Sequence, residues 1–216
     1  MYEMQVPRQP KIYHIVHINN LNSILNSKGL FSYSQVKTNN SINTNIGMSK
    51  IKERRLTELR LSSHPDLFVG QCVPFYFCPR SVMLYVIYRG DSPEIEYHDG
   101  QEGIIHLQSD LHSTVQWASQ TNKRWAFTLS NAGSYYFEDT NNLNNLGLLD
   151  WNAINATNWQ HCKEEKQAEF LIENSFPWHL VEGIGVYSQK TYNETIRILN
   201  LNSEITPVRI IKEWYY

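Results

Sequence analysis

The chain of 216 residues carries 19 Lys and Arg against 21 Asp and Glu, which gives a formal net charge of −2 at pH 7. This balance excludes a polybasic nucleic-acid binder and an acidic disordered chain, and 41% hydrophobic residues suffice for a full core. There is no apolar run near the roughly 18 residues of a membrane span and no signal-peptide pattern. The three cysteines lack metal-site spacing and indicate reduced thiols. Composition therefore predicts a cytoplasmic globular protein, with residues 1–216 forming a single domain.

Hydrophobic periodicity and turn residues predict an irregular mixture of short strands and helices. In chain order they are a strand at 11–17, helices at 21–28 and 49–61, a strand at 72–77, a helix at 80–88, a strand at 104–107, a helix at 110–118, a strand at 125–129, a helix at 150–158, strands at 168–173 and 183–188, a helix at 191–199 and a strand at 208–214. Asparagine occupies 21 positions and crowds 19–45 and 141–158, which indicates long ordered loops there. The absence of a regular βαβ rhythm favours an α+β fold.

The sequence lacks the short motifs that identify many enzyme classes. Neither glycine-rich phosphate loop occurs, HExxH and GxSxG are missing, and no two histidines stand at ligand spacing beside a third metal ligand. Any chemistry is therefore expected from less regular clusters of side chains, without a bound metal.

Glu169 lies in a strand-like run whose side chains alternate in character. If Ala168, Phe170 and Ile172 face the core, Glu169 points to the opposite face of the strand. A carboxylate on a rigid strand can stabilise a developing cation or orient a hydroxyl group. A solvent-exposed strand glutamate is the commoner case, so the pattern alone leaves both interpretations open.

Two further segments offer groups suited to a flat or an anionic ligand. In the aromatic block VPFYFCPRS, alternation sends Tyr76 away from Phe75 and Phe77, so Tyr76 is the candidate for stacking on a ring. Residues 50–60 have a local charge of +3, which fits either a phosphate-binding arginine or a solvated helix face. Residues 91–102 hold five carboxylates and are expected to form a solvated loop, which leaves a charge of +3 on the rest of the chain.

Taken together, these segments resemble the DarT family of DNA ADP-ribosyltransferases, the toxins of DarT/DarG toxin–antitoxin modules. The matching blocks run in order along nearly the whole chain: IYHIVHINN (12–20), ERR (53–55), VPFYFCPRS (73–81), MLY (83–85), DW (150–151), KQAEFL (166–171), VYS (186–188) and KEWYY (212–216). Each block alone is a weak signal, whereas their common order is specific.

The resemblance implies an ADP-ribosyltransferase-like fold, with two facing β-sheets, surrounding short helices, and NAD as co-substrate in a central cleft. It implies Glu169 and Arg55 as the catalytic residues, with Glu169 stabilising the positive charge that develops as the nicotinamide–ribose bond breaks. It also implies NAD contacts from His14, Ile15, Val16, Asn20, Arg55, Tyr76 and Met83. The asparagine-rich segment at about 37–55 would cover NAD, and residues from about 130 to 169 would face the substrate.

The acceptor implied by the resemblance is a base of single-stranded DNA, most often a thymine ring nitrogen. Where the family commonly has a histidine, this chain has Asn131, which hydrogen-bonds but does not titrate. Guanine therefore stays open as the acceptor, as do RNA and protein, and so does an inactive nucleic-acid-binding module. Contacts with DNA are predicted from Asn131, Lys123, Arg124 and Arg80.

The family context implies a macrodomain antitoxin of the DarG kind as partner, and a monomer suffices for the reaction. A net charge of −2 is compatible with single-stranded DNA, because a transferase holds a short strand only briefly through local arginine and aromatic side chains. The composition therefore excludes tight coating of a polyanion, but not chemistry on a single base.

Overall fold

The computed structural model describes residues 5–39 and 44–216, and their short strands and helices confirm the predicted α+β class. The strands in these ranges are β1 (Lys11–His17), β2 (Gly29–Phe31), β3 (Cys72–Tyr76), β4 (Ile104–Asp110), β5 (Trp125–Asn131), β6 (Asp139–Thr140), β7 (Ala168–Glu173), β8 (Ser175–Pro177), β9 (Gly183–Val186) and β10 (Val208–Ile210). The α-helices are α1 (Leu21–Asn26), α2 (Tyr33–Asn39), α3 (Ser49–Thr57), α4 (Val82–Arg89), α5 (Leu111–Gln120), α6 (Trp151–Asn155) and α7 (Gln189–Leu201). Short 3-10 helices, such as Val69–Gln71, connect them.

Eight strands form one sheet in the order β10-β9-β4-β1-β3-β7-β5-β6. Its neighbours are antiparallel, except that β10 and β9 are parallel. The two sheets expected from the sequence form one continuous sheet here, whose halves, β10-β9-β4-β1 and β3-β7-β5-β6, join where Tyr13 of β1 pairs with Tyr76 of β3. A second small sheet consists of β2 and β8. The short pairing of β1 with β3 leaves the junction between the halves available for a cleft.

Alternating side chains of β7 and β3 build the main core. From β7, Ala168, Phe170 and Ile172 are fully buried in it, and Phe75 and Phe77 join them from the β3 segment. Burial of a large apolar side chain of this kind contributes roughly 1.5–3 kcal/mol. The opposite faces of the two strands are therefore available for the cleft, as the sequence predicts.

The C-terminal strand is shorter than predicted. β10 ends at Ile210, and residues Lys212–Trp214 form a 3-10 helix. The hydroxyl of Tyr215 donates to the carbonyl oxygens of Ile104 and Gly185 at 2.8 and 3.0 Å. These hydrogen bonds hold the C-terminal segment against β4 and β9, so residues after Ile210 do not continue the strand.

Two other segments differ from expectation because their apolar side chains are buried. α3 ends earlier than predicted, since Leu59 and Leu61 turn into a second core cluster. The acidic segment 91–102 is not a fully solvated loop, because Ile95 and Tyr97 are buried in a third cluster together with side chains of α4.

Candidate active site

A cleft with a volume of about 510 Å³ opens where β1 and β3 meet. Residues of β1, β3, β5 and β7 line it from the large sheet, and residues of β2 and of the helices α1, α2, α3 and α4 add to its wall. Of the residues singled out from the sequence, the lining includes His14, Ile15, Val16, Asn20, Arg55, Tyr76, Met83, Asn131 and Glu169. Concave sites of several hundred Å³ with a few polar groups are typical of small-molecule binding. The structure therefore brings the predicted NAD contacts and both predicted catalytic residues together.

Glu169 is buried on the cleft face of β7, with 3% of its surface exposed. Its backbone N–H donates to Oγ1 of Thr128 at 3.0 Å, which fixes β7 against β5. Its carboxylate Oε2 accepts a hydrogen bond from Nη2 of Arg55 at 2.5 Å. A solvated strand glutamate, which the pattern alone favours, is therefore excluded by this geometry.

Arg55 lies in the last turn of α3 and is mostly buried. Burial alone would lower its pKa, but the Glu169 carboxylate raises the pKa of Arg55 above its ordinary value. Arg55 is therefore a fixed cation. Among the described residues, the guanidinium of Arg55 donates only to Glu169, through Nη2. Its other N–H donors are therefore available to a ligand in the cleft.

Close packing of α3 on the 3-10 helix Val69–Gln71 determines where Arg55 stands. A Cβ atom at Gly70 would lie 2.9 Å from the backbone carbon of Arg55 and 2.8 Å from the backbone nitrogen of Leu56. These distances are shorter than a side chain tolerates, so the approach of α3 to the sheet requires glycine at this position.

The ring of His14 is oriented by the backbone of β3. Its Nδ1 lies 2.8 Å from the carbonyl oxygen of Pro74, and because a carbonyl only accepts, Nδ1 is the donor. Burial, together with the charge of Lys52, lowers the pKa of His14 despite this hydrogen bond. The ring is therefore neutral at pH 7, with Nε2 left as a hydrogen-bond acceptor.

Tyr76 and Met83 supply the apolar part of the cleft. Tyr76 is the register partner of Glu169, and burial, followed by that carboxylate, raises the pKa of its hydroxyl. Met83 lies in the first turn of α4, where Oγ of Ser81 caps the helix by accepting from the N–H of Leu84 at 3.2 Å. A protonated tyrosine ring beside a thioether suits the face of a flat ligand.

Comparison with known proteins identifies the family. The model of the family described as "DarT: ssDNA thymidine ADP-ribosyltransferase, DarT" matches residues 13–216. The chain belongs to the DarT family.

Relatives of known structure agree with this assignment. The DNA ADP-ribosyl transferase of Thermus sp. (strain 2.9) is 38% identical over 215 residues, which cover 97% of this chain and 98% of that protein. Thermus sp. 2.9 DarT in complex with ADP-ribosylated ssDNA matches with a TM-score of 0.89 and 37% identity over 100% of both chains. The same protein in complex with NAD⁺ matches with a TM-score of 0.83 and 35% identity over 98% of this chain and 100% of that one. The predicted fold, the NAD co-substrate and ADP-ribosyl transfer to single-stranded DNA are confirmed at the level of the DarT family.

In this DarT-family chain, Asn20 holds the segment that precedes α3. Its side-chain amide donates to the carbonyl oxygen of Thr44 at 2.8 Å and accepts from the N–H of Thr44 at 2.9 Å. Residues 44–48 line the cleft. Of the loop predicted to cover NAD at about 37–55, residues 40–43 lie outside the described residues. Residues 44–48 of this segment therefore lie along the cleft, and the hydrogen bonds of Asn20 hold them there.

Lys52 is a cleft residue that the sequence did not single out. It stands one helical turn before Arg55, and its Nζ donates to Oδ1 of Asn45. Burial, followed by the charge of Arg55, lowers the pKa of Lys52 to about 8. The sequence feature that could have pointed to Lys52 is the local positive charge of residues 50–60. Lys50 of the same segment is exposed, so both interpretations of the segment hold for different side chains.

The predicted DNA contacts do not lie together. Asn131 ends β5 at the cleft, whereas Lys123 and Arg124 precede the other end of that strand, roughly 20 Å away at 3.3 Å per residue. Arg124 is engaged in ion pairs at 2.7 Å. The guanidinium of Arg80 lies 4.4 Å from the centre of the Tyr216 ring and does not line the cleft. Only Asn131 of the four therefore lines the site.

Within residues 5–39 and 44–216, none of the helices combines the length and apolar character needed to cross a membrane. Nor do three His, Cys, Asp or Glu side chains of these residues gather as ligands for a metal ion.

Proposed function

We propose that this chain transfers ADP-ribose from NAD to a thymine ring nitrogen of single-stranded DNA, and that it acts as a toxin by blocking replication. The ion pair of Arg55 and Glu169 inside the cleft carries the proposal, because it places a fixed cation and a carboxylate side by side in a cavity of suitable size. The thymine nitrogen forms a bond to the ribose carbon that nicotinamide leaves. Nicotinamide takes the electron pair of the broken bond, and the imide proton passes to solvent.

The side chains of the cleft include groups suited to each part of NAD. Arg55 and Lys52 supply two cations one helical turn apart, which suits a diphosphate. His14 offers the acceptor Nε2 to a hydroxyl of the adenosine-side ribose. Tyr76 and Met83 suit the nicotinamide ring. We propose these five residues as the principal NAD contacts.

Bound NAD supplies the ADP-ribosyl group, and positive charge develops on its ribose as nicotinamide leaves. Glu169 opposes this charge and accepts a hydrogen bond from a ribose hydroxyl. Its burial strengthens both interactions, because charges interact more strongly away from water. Arg55 holds the carboxylate in place. Because arginine stays protonated, we assign Arg55 an electrostatic role toward the thymine imide that loses its proton, and not the role of a base.

The biological setting extends this proposal. We propose that the chain acts in the cytoplasm as a monomer and is neutralised by a macrodomain antitoxin. We also propose that residues 1–216 act as a single domain, because one sheet uses strands that span residues 11 to 210.

Incubation with labelled NAD and single-stranded oligonucleotides tests the proposed function. We expect label on thymine-containing oligonucleotides, and mass spectrometry of the product should show one ADP-ribosyl group on the thymine base. Label on an oligonucleotide without thymine would move the acceptor to another base. Guanine is the alternative, because Asn131 stands where the family commonly has histidine. If label were carried by RNA or protein and never by DNA, or if nothing were labelled, transfer to DNA would be contradicted.

A further inference from the structure

The loop between β5 and β6 presents two consecutive tyrosines to solvent. Tyr135 is 61% exposed and Tyr136 is 94% exposed. Single exposed apolar residues are ordinary on protein surfaces, but two consecutive exposed tyrosines on a loop that starts at a binding cleft offer aromatic faces to a flat partner.

This loop is held in place by hydrogen bonds at its base. Oδ1 of Asn131 accepts from the N–H of Gly133 at 2.8 Å, and the carbonyl oxygen of Asn131 accepts from the N–H of Ser134 at 3.0 Å. Oγ of Ser134 donates to Oε2 of Glu164 at 3.1 Å. Because the loop is anchored on both sides of Gly133, the tyrosines that follow are presented from a fixed position.

α3 adds a second anchor and connects the loop to the active site. The guanidinium of Arg54 donates to the carbonyl oxygen of Gly133 and lies 4.7 Å from the centre of the Tyr135 ring. A Cβ atom at Gly133 would lie 3.2 Å from a methyl carbon of Ile51, so loop and helix are in close contact. Arg54 directly precedes Arg55, the partner of Glu169. The tyrosine rings are thus presented by a loop fixed to the helix that carries the cleft arginine.

We infer that Tyr135 and Tyr136, backed by Arg54, form a stacking platform for the bases next to the acceptor base. Asn131 starts this loop at the cleft wall, so nucleotides that flank a base inside the cleft would pass over the rings. Stacking on aromatic side chains binds single-stranded nucleic acid with little dependence on base identity. Arg54 adds a cation near the strand without a broad basic patch, which agrees with the balanced charge of the chain. This inference rests on the proposed transfer to single-stranded DNA.

Two decamers test the platform at saturating NAD. One carries a single thymine between adenines, and the other carries the same thymine between abasic residues. For the wild-type chain, we expect the abasic flanks to raise the KM for DNA about fivefold or more, because a stacked base contributes that much to binding. Tyr136→Ala should raise the KM for the adenine-flanked decamer to a similar extent. It should show little further rise with abasic flanks, since the stacking partner is already missing.

Control variants separate stacking from damage to the loop. Tyr136→Phe keeps the ring and should behave as wild type. Tyr88→Ala removes another exposed tyrosine, which does not line the cleft, and should also leave the KM for DNA unchanged. In all variants the KM for NAD and kcat should stay within twofold of wild type.

The platform would be overturned if Tyr136→Ala left the KM for DNA unchanged, or if abasic flanks raised the KM of Tyr136→Ala as much as that of the wild-type chain. It would also be overturned if Tyr136→Phe failed to restore the wild-type KM for DNA. The same holds if Tyr136→Ala weakened only the binding of a macrodomain protein. If the wild-type chain labelled neither these decamers nor any other DNA, the proposed function itself would fail, and the platform with it.

Discussion

Strand β7 carries two Arg–Glu ion pairs with different surroundings. At its cleft end, Glu169 meets Arg55 through one hydrogen bond of 2.5 Å, and both side chains are largely buried. At its other end, the Glu173 carboxylate accepts two hydrogen bonds from the guanidinium of Arg124, of 3.0 Å from Nε and 2.7 Å from Nη2. Arg124 also reaches Asp66 at 2.7 Å. The two glutamates lie on the same face of the same strand.

The two pairs differ in how far the protein uses their hydrogen-bonding capacity. The outer pair is a clamp, in which the guanidinium of Arg124 is shared between two carboxylates at the protein surface. In the inner pair, Oε1 of Glu169 accepts no hydrogen bond from the described residues, and most N–H donors of Arg55 are likewise unused by them. A buried ion pair with unused hydrogen-bond donors and acceptors can bind a ligand through them. An ion pair whose donors and acceptors are all used within the protein mainly stabilises the fold.

Replacement of the inner carboxylate should have the largest effect. Glu169→Gln removes the negative charge that opposes the developing cation while it keeps the size of the side chain, so we expect kcat to fall by about 10²- to 10³-fold. Glu173→Gln is the matched control on the same strand and should keep kcat within about twofold, because its role is structural. Single-turnover transfer from labelled NAD to an oligonucleotide measures both values. Equal losses in the two variants would contradict the assignment of chemistry to the inner pair.

Removal of each arginine should separate the two pairs in stability as well. Arg55→Met leaves the buried carboxylate of Glu169 without its counter-charge, and we expect the free energy of unfolding to fall by roughly 3 kcal/mol. Arg124→Met breaks a more exposed pair and should cost about 1 kcal/mol. Urea denaturation measures both changes, provided that the slope of the transition stays constant.

A double variant serves as the control for this difference. In Arg55→Met/Glu169→Gln the unpaired charge is gone, so most of the lost stability should return. If the two single arginine variants lost equal stability, or if the double variant recovered none of it, the inner pair would not be the buried, coupled pair that the geometry indicates.

The sequence predicts the orientation of Glu169 better than its surroundings. Strand alternation around Glu169 places it opposite the core residues, and this local property holds in the fold. The burial of Glu169 could not be read from the pattern, because it depends on Arg55, which lies 114 positions earlier in the chain. The resemblance to the DarT family implies that both residues are catalytic, but not that they form an ion pair. The local pattern predicts the face of the strand, whereas the pairing with Arg55 is visible only in the fold.

The predicted DNA contacts show where sequence reasoning stops. The sequence predicts DNA contacts from Lys123 and Arg124, but a charge seen in the sequence does not reveal its partner. In the fold Arg124 is paired with Glu173 and Asp66, both far from it in sequence. The sequence does not reveal the burial of Lys52 either, because that burial depends on how α3 is placed in the fold. Side-chain pairing and helix placement are long-range properties of the chain.

The lysine beside the inner pair should give the smallest effect and one that depends on pH. Lys52 is protonated below its lowered pKa of about 8, and we expect NAD to bind the protonated form through its diphosphate. The KM for NAD should therefore be level below pH 8 and rise as pH increases through and above that value. Lys52→Met should raise the KM about tenfold at pH 7, as expected for the loss of one charged hydrogen bond, and should abolish the rise at alkaline pH.

Two further variants identify the source of this pH dependence. Lys52→Arg keeps a cation that does not lose its proton in this range, so its KM for NAD should stay low and level from pH 7 to 9.5. Lys50→Met removes an exposed lysine from the same helix and should retain the wild-type profile. A wild-type profile in Lys52→Met would show that the diphosphate depends on Arg55 alone. In that case the unused N–H donors of Arg55 would hold the diphosphate without help from Lys52.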